Sequence, residues 1–248
     1  MIALLLLQIL LLHLLTIITL MKKVFVIKFI LIAIVATNIS AYAQKSNVGA
    51  WYVYYGNQKI SKKLNWHNEV QYRNYDFLGN TQQLLLRTGL GYNLTENNNN
   101  ILLGYGFIHS EKYLADGINK IDDTEHRIYQ QFITKQNFGV VNIQHRYRLE
   151  ERFLANDFKL RFRYFLSLNI PLNSKIMEKN TVYASAYNEV FLNSQSSIFD
   201  RNRLYGGLGY IINKNFKIEG GLMSQMVDKS HRNQFQVMIF NNLPLTNK

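Results

Sequence analysis

One stretch constrains the fold more than any other: Val141 to Phe153, reading Val-Asn-Ile-Gln-His-Arg-Tyr-Arg-Leu-Glu-Glu-Arg-Phe. At period two, one face carries Val141, Ile143, Tyr147 and Leu149, with His145 as the exception. The other face carries Asn142, Gln144, Arg146, Arg148, Glu150 and Arg152. Successive strand side chains point to opposite sides, so this is an apolar wall backed by a charged one. Extended at ~3.4 Å per residue the stretch spans about 40 Å, where an ordinary strand has about five or six residues. That length crosses a bilayer and projects beyond it. A soluble sheet buries its apolar face in a core, whereas a transmembrane barrel turns it to lipid and keeps the polar face for the lumen. The stretch reads as a barrel strand.

The same alternation recurs along the chain. Leu64, Trp66, Val70 and Tyr72 oppose Asn65, His67, Glu69, Gln71 and Arg73, and Leu84, Leu86, Leu90 and Tyr92 oppose Gln83, Arg87, Gly89 and Gly91. Leu160, Phe162, Tyr164, Leu166 and Leu168 oppose Lys159, Arg161, Arg163, Phe165 and Ser167. Strands are expected over 47–56, 64–75, 81–93, 101–110, 125–135, 141–153, 158–170, 181–192, 203–212, 216–226 and 233–241. These are eleven segments, whereas bacterial single-chain barrels have even strand numbers. The expectation is therefore an all-β, transmembrane, antiparallel up-and-down barrel of ten to twelve strands. Either residues 47–56 stay outside a ten-stranded closure or a twelfth strand escapes the pattern. A longer loop is expected over 111–124, within an alternation of short turns and longer loops of the kind that separates periplasmic from extracellular connections. A weak repeat, Arg87-Thr-Gly-Leu-Gly-Tyr and Arg203-Leu-Tyr-Gly-Gly-Leu-Gly-Tyr, puts Tyr92 and Tyr210 where an interfacial aromatic belt belongs. Phe240 resembles the terminal aromatic of outer-membrane barrels.

Residues 1–43 differ from the rest. Met21-Lys22-Lys23 opens a positive segment, Val24 to Val35 is apolar apart from Lys28, and Ala41-Tyr42-Ala43 supplies a cleavage site before Gln44. Residues 21–43 read as a signal peptide and 44–248 as the barrel. Residues 1–20 read as an upstream start-site artefact, the rival being a hydrophobic anchor of about membrane-spanning length. Loss of Lys22, Lys23 and Lys28 takes the net charge from +12 to +9. The absence of cysteine removes disulfides and thiolate chemistry.

A secreted lipocalin-like barrel or a β-sandwich alternates too. Strand length, aromatics near the turns and the signal peptide favour the membrane barrel. An inward row of Arg146, Arg148, Arg161 and Arg163 would be very costly in a dry core and is tolerated in a wet or hydrogen-bonded lumen.

At Glu125-His126-Arg127-Ile128-Tyr129-Gln130-Gln131, at His145 to Phe153, at Arg161-Phe162-Arg163-Tyr164 and at Tyr187-Asn188-Glu189-Val190-Phe191, the chain resembles the bacterial outer-membrane proteins grouped as domain of unknown function 2490, common in Gram-negative Bacteroidota. The resemblance runs from about Trp51 to Asn241. It implies an outer-membrane barrel and carries no activity with it.

For function, the inward charges come first: Arg87, Arg127, Arg146, Arg148, Glu150, Arg152, Arg161, Arg163, Glu189 and Arg203. Arginine suits bidentate contact with carboxylates or phosphates, so this set could bind or pass small anionic or polar solutes. The plainer reading is a salt-bridge network filling a narrow barrel, and it is preferred because small barrels are filled by their own side chains. A membrane-embedded lipid hydrolase would need a serine within reach of an oriented histidine. His109 and Ser110 are adjacent and face opposite ways, as do Ser230 and His231, so no enzyme is expected. Acids and histidines at Asp122, Asp123, His126, Asp228 and His231 suit solvated loops better than a metal site. No cofactor and no nucleic acid is expected. The expected partners are outer-membrane lipids, lipopolysaccharide and the barrel-assembly machinery, with oligomeric state open.

Overall fold

Alternation at period two decides the secondary structure here. In the computed structural model, which describes residues 48–95, 98–195, 197–228 and 230–246, every regular element is a strand and no helix occurs among the described residues. The readings of residues 1–20 and of the signal peptide at 21–43 lie outside the described residues. The strands are β1 (Val48–Lys59), β2 (Leu64–Asn74), β3 (Thr81–Asn93), β4 (Asn99–Tyr113), β5 (Lys120–Phe138), β6 (Val141–Leu154), β7 (Asp157–Pro171), β8 (Val182–Asn193), β9 (Phe199–Ile211), β10 (Phe216–Val227) and β11 (Ser230–Asn241). Each pairs with the next, and β1 pairs with β11 to close the barrel.

The closing pair corrects three expectations. It is parallel, running from Val48↔Asn233 to Gly56↔Asn241, so the barrel is mixed rather than antiparallel throughout. Residues 47–56 do not stand outside the closure, since most of them form the closing strand, and no twelfth strand occurs among the described residues. The reason is geometric: a meander with an odd number of strands returns to its first strand running in the same direction. Parallel pairing is slightly weaker per residue. An apolar cluster reinforces the seam from inside, made of Trp51, Val53, Tyr205, Met223 and Met238 with Tyr55, Tyr187 and Phe240 packed on it. Phe240 therefore belongs to the interior, stacked on Tyr55 with ring centroids 5.2 Å apart, and not to the outer belt.

The expected loop at 111–124 is instead a hairpin. β4 and β5 pair as far as Tyr113↔Lys120, and only 114–119 connect them. Glu111, Lys112, Asp122 and Asp123 make both faces polar there, so hydrophobic alternation fades while pairing continues. Cross-strand charges support it, with Lys112 bonded to Asp123 and Lys120 Nζ 2.9 Å from Glu111. Nor do short turns and long loops alternate. One rim, called the near rim below, carries the connections 60–63, 94–98, 139–140, 172–181 and 212–215. The far rim carries 75–80, 114–119, 155–156, 194–198 and 228–229. Both mix very short links with longer ones.

The faces sort as the pattern requires. Twenty-three polar or charged side chains are buried among the described residues against thirteen hydrophobic ones, the reverse of a soluble core. Leu90, Leu103, Leu204, Leu208 and Leu222 project outward with Trp66, Tyr92, Tyr147, Phe162 and Tyr210 in an exposed apolar belt.

Two inward glycines make room for tyrosines. Gly104 sits directly across from Tyr129 and Gly209 across from Tyr183, and a methyl group on either glycine would run into the ring. Tyr129 is fully buried and has nowhere to retreat. Gly104→Ala should therefore cost about 1–3 kcal/mol, as other overpacking changes do. A lowered urea midpoint for that variant checks this, and an unchanged midpoint would show that the ring is free to move.

Candidate functional site

Strands β3 and β5 to β9 each aim at least one charged residue inward, and β6 carries four at successive inward positions, Arg146, Arg148, Glu150 and Arg152. Neighbouring rows then oppose like charges, as where Arg148 lies directly across from Arg163. Such pairs are destabilising unless a carboxylate joins them. Glu150 does so from the next inward position on β6. Its Oε1 accepts from Arg163 Nη1 at 2.5 Å and Arg148 Nη1 at 3.5 Å, and its Oε2 from Arg161 at 2.6 and 3.1 Å. Arg127 of the adjacent β5 and Arg87 of β3, from further round the lumen, reach the same carboxylate at 3.7 and 3.8 Å.

Glu189 is the second hub. It accepts from Arg163 at 2.5 and 3.1 Å and from Arg146 at 2.7 Å, with Arg203 3.5 Å away. Arg152 does not join Glu150 or Glu189. It shares Glu125 with Arg127, at 2.5 and 3.0 Å. Arg148 leans chiefly on Gln131, at 2.6 and 3.0 Å. Aromatic faces carry further positive charge: Arg148 lies over Tyr129 at 4.4 Å, Arg163 over Phe191 at 4.4 Å and Arg73 over Trp51 at 3.8 Å. Cation–π contacts of this kind strengthen when desolvated.

These side chains form a charged waist inside the barrel. Seven arginines and five glutamates are buried among the described residues, and half-buried Arg146 and Arg152 add two more cations. Between the waist and the near rim a cup of about 540 Å³ remains. Arg146, Phe165, Tyr187, Tyr55 and Phe240 line its wall, and Lys59, Lys62, Lys135 and Lys217 stand around its mouth. Asparagines link along one side: Asn65 donates to Asn57 at 2.5 Å, and Asn100 to Asn65 and Asn93 at 2.7 and 2.8 Å.

Ser110 is turned inward, accepting from Gln83 at 2.7 Å, while its neighbour His109 belongs to the outer face. Ser230 donates to the Val227 carbonyl at 2.9 Å. Among the described residues no three His, Asp or Glu side chains converge on a point where a metal ion could sit. The loop acid Asp116 is committed to its own turn, accepting from the N–H groups of Ile118 and Asn119 at 2.9 and 3.0 Å. Those bonds, Ile118 first, hold its carboxyl below the usual range.

Residues 48–236 match the model of a family described as a protein of unknown function (DUF2490). The chain belongs to this family. Comparisons with curated proteins and with solved structures return no match. The match covers the DUF2490 barrel from the start of β1 into β11, and every buried charge of the waist lies within it.

Sequence reading singled out Arg87, Arg127, Arg146, Arg148, Glu150, Arg152, Arg161, Arg163, Glu189 and Arg203 in the DUF2490 barrel, and all ten reach the lumen. It passed over Glu69, Arg73, Glu125 and Asp200. Glu69 pairs with Arg87 at 2.8 Å, and Asp200 accepts from Arg161 at 3.1 Å. Glu69 and Glu125 already stood on polar faces in the pattern. What the pattern lacked was the register, which sets Glu69 directly across from Arg87 of β3 and brings Glu125 beside Arg152 of β6.

Proposed function

We propose that this chain is an outer-membrane β-barrel whose lumen is closed at the waist, so that it does not conduct. The observation that carries the reading is the waist itself, in which Arg148 and Glu150 are 1% and 0% exposed and hold each other and their neighbours. A wide water-filled pore would leave such side chains wet. The exposed apolar belt supports the membrane half of the proposal, because soluble monomers rarely expose contiguous apolar patches beyond a few hundred Å². Lipid, lipopolysaccharide and the barrel-assembly machinery are the partners this reading implies, and no catalytic step is part of it.

Three measurements test it. The mature protein should begin at Gln44, sediment with outer membranes, and give no steady current in planar bilayers. A stable anion-selective conductance from the wild type would overturn the closed waist. Sedimentation with the soluble fraction would overturn the membrane assignment. The cup favours one further role, holding a solute that enters from the near rim without passing through.

A further inference from the structure

We infer that the near-rim cup is a binding site for a small multivalent oxyanion, such as a phosphate ester or polycarboxylate, gripped between Lys135 and Lys217. The inference rests on the closed-barrel reading, since only a blind cup retains what enters it. Lys135 projects from β5 and Lys217 from β10, and both line the cup from opposite walls, with Glu219 two positions along β10 on the Lys217 side. Among the described residues neither is ion-paired. Lys217 rests on aromatic rings, 4.2 Å from the Phe240 centroid and 5.5 Å from that of Tyr183.

Nine lysines and arginines line the cup against three acids, Glu69, Glu189 and Glu219, and Glu219 already accepts from the Tyr183 hydroxyl at 2.9 Å, so an anion entering the cup meets an excess of positive charge. Deeper in, Arg146 gives one nitrogen to Glu189 while its Nε is buried without a partner. Arginines outnumber carboxylates in the waist below, which keeps the floor positive. The volume of about 540 Å³ falls within the range of small-molecule sites. Phe165 and the stacked Tyr55–Phe240 pair offer flat apolar walls for the rest of such a ligand.

The test is calorimetric titration of the refolded mature barrel with pyrophosphate, and with maltose as a neutral probe of similar access. Heat-modified gel mobility verifies folding of each variant beforehand. Wild type should bind pyrophosphate and not maltose. Lys135→Gln and Lys217→Gln should each weaken binding about ten-fold, the factor that ~1.4 kcal/mol represents, and the double variant should abolish it. Lys175→Gln, an exposed lysine of the 172–181 connection, should bind as wild type does. No binding by a folded wild-type barrel, equal weakening in Lys175→Gln, or maltose bound in place of pyrophosphate would each overturn the inference. None of those outcomes touches the conductance result, so the two readings fail separately.

Discussion

Glu150→Gln is expected to destabilise the barrel by about 3–5 kcal/mol, the cost of stranding buried charge. Glu150 is the carboxylate on which five guanidinium groups converge, from Arg163 at 2.5 Å to Arg87 at 3.8 Å. The amide keeps one acceptor oxygen and the side-chain shape, so the loss isolates charge from packing. Arg161 retains Asp200 and Arg163 retains Glu189, whereas Arg148 is left with the neutral Gln131. A surface pair gives the scale: Glu111→Gln, beside the partly exposed Lys120, should cost about 1 kcal/mol or less. Urea unfolding from lipid vesicles reads both. A Glu150→Gln loss as small as that of Glu111→Gln would mean that water reaches the waist, and the closed-lumen reading would go with it.

Leu222→Arg is expected to cost about 2–4 kcal/mol in the same assay, the range for arginine on a lipid face near the midplane. Leu222 lies midway along β10 and is 61% exposed to whatever surrounds the barrel. On a soluble protein such a site tolerates arginine within about 0.5 kcal/mol. The experiment therefore asks what the surrounding medium is. Ser167→Arg, which points into the roomy cup, should cost less than Leu222→Arg. Equal costs would show that the two faces meet the same solvent.

The strands were legible because alternation is a local property. β3, expected over 81–93, begins at Thr81 and ends at Asn93, and β6, β7 and β10 agree with their expected spans to within a residue at either end. Legibility failed where both faces turn polar, as in the upper β4–β5 hairpin. It also failed where closure matters, since nothing in residues 47–56 states that their neighbour is β11. The waist was legible as a list of inward charges and illegible as a network. Glu150 meets Arg161 and Arg163 of β7 and Arg127 of β5 from the adjacent strands, which register makes visible, but its contact with Arg87 of β3 crosses the lumen. That contact depends on how the cylinder curves, and curvature leaves no mark at period two. Lys135 and Lys217 were missed for the same reason, being 82 positions apart in the chain.

The odd closure has a topological consequence. β1 enters at the far rim with Val48, and β11 leaves at the near rim beside Asn241. An even meander would bring both ends back to one side. Here the polypeptide goes in through one face and comes out through the other, so that in a membrane it is threaded across like a bolt. A reporter at Val48 and another at Asn241 would then sit in different compartments, and one end of the barrel would have to be carried through the bilayer during assembly. With no cysteine in the sequence, a single introduced thiol at each end suffices to read which compartment is which.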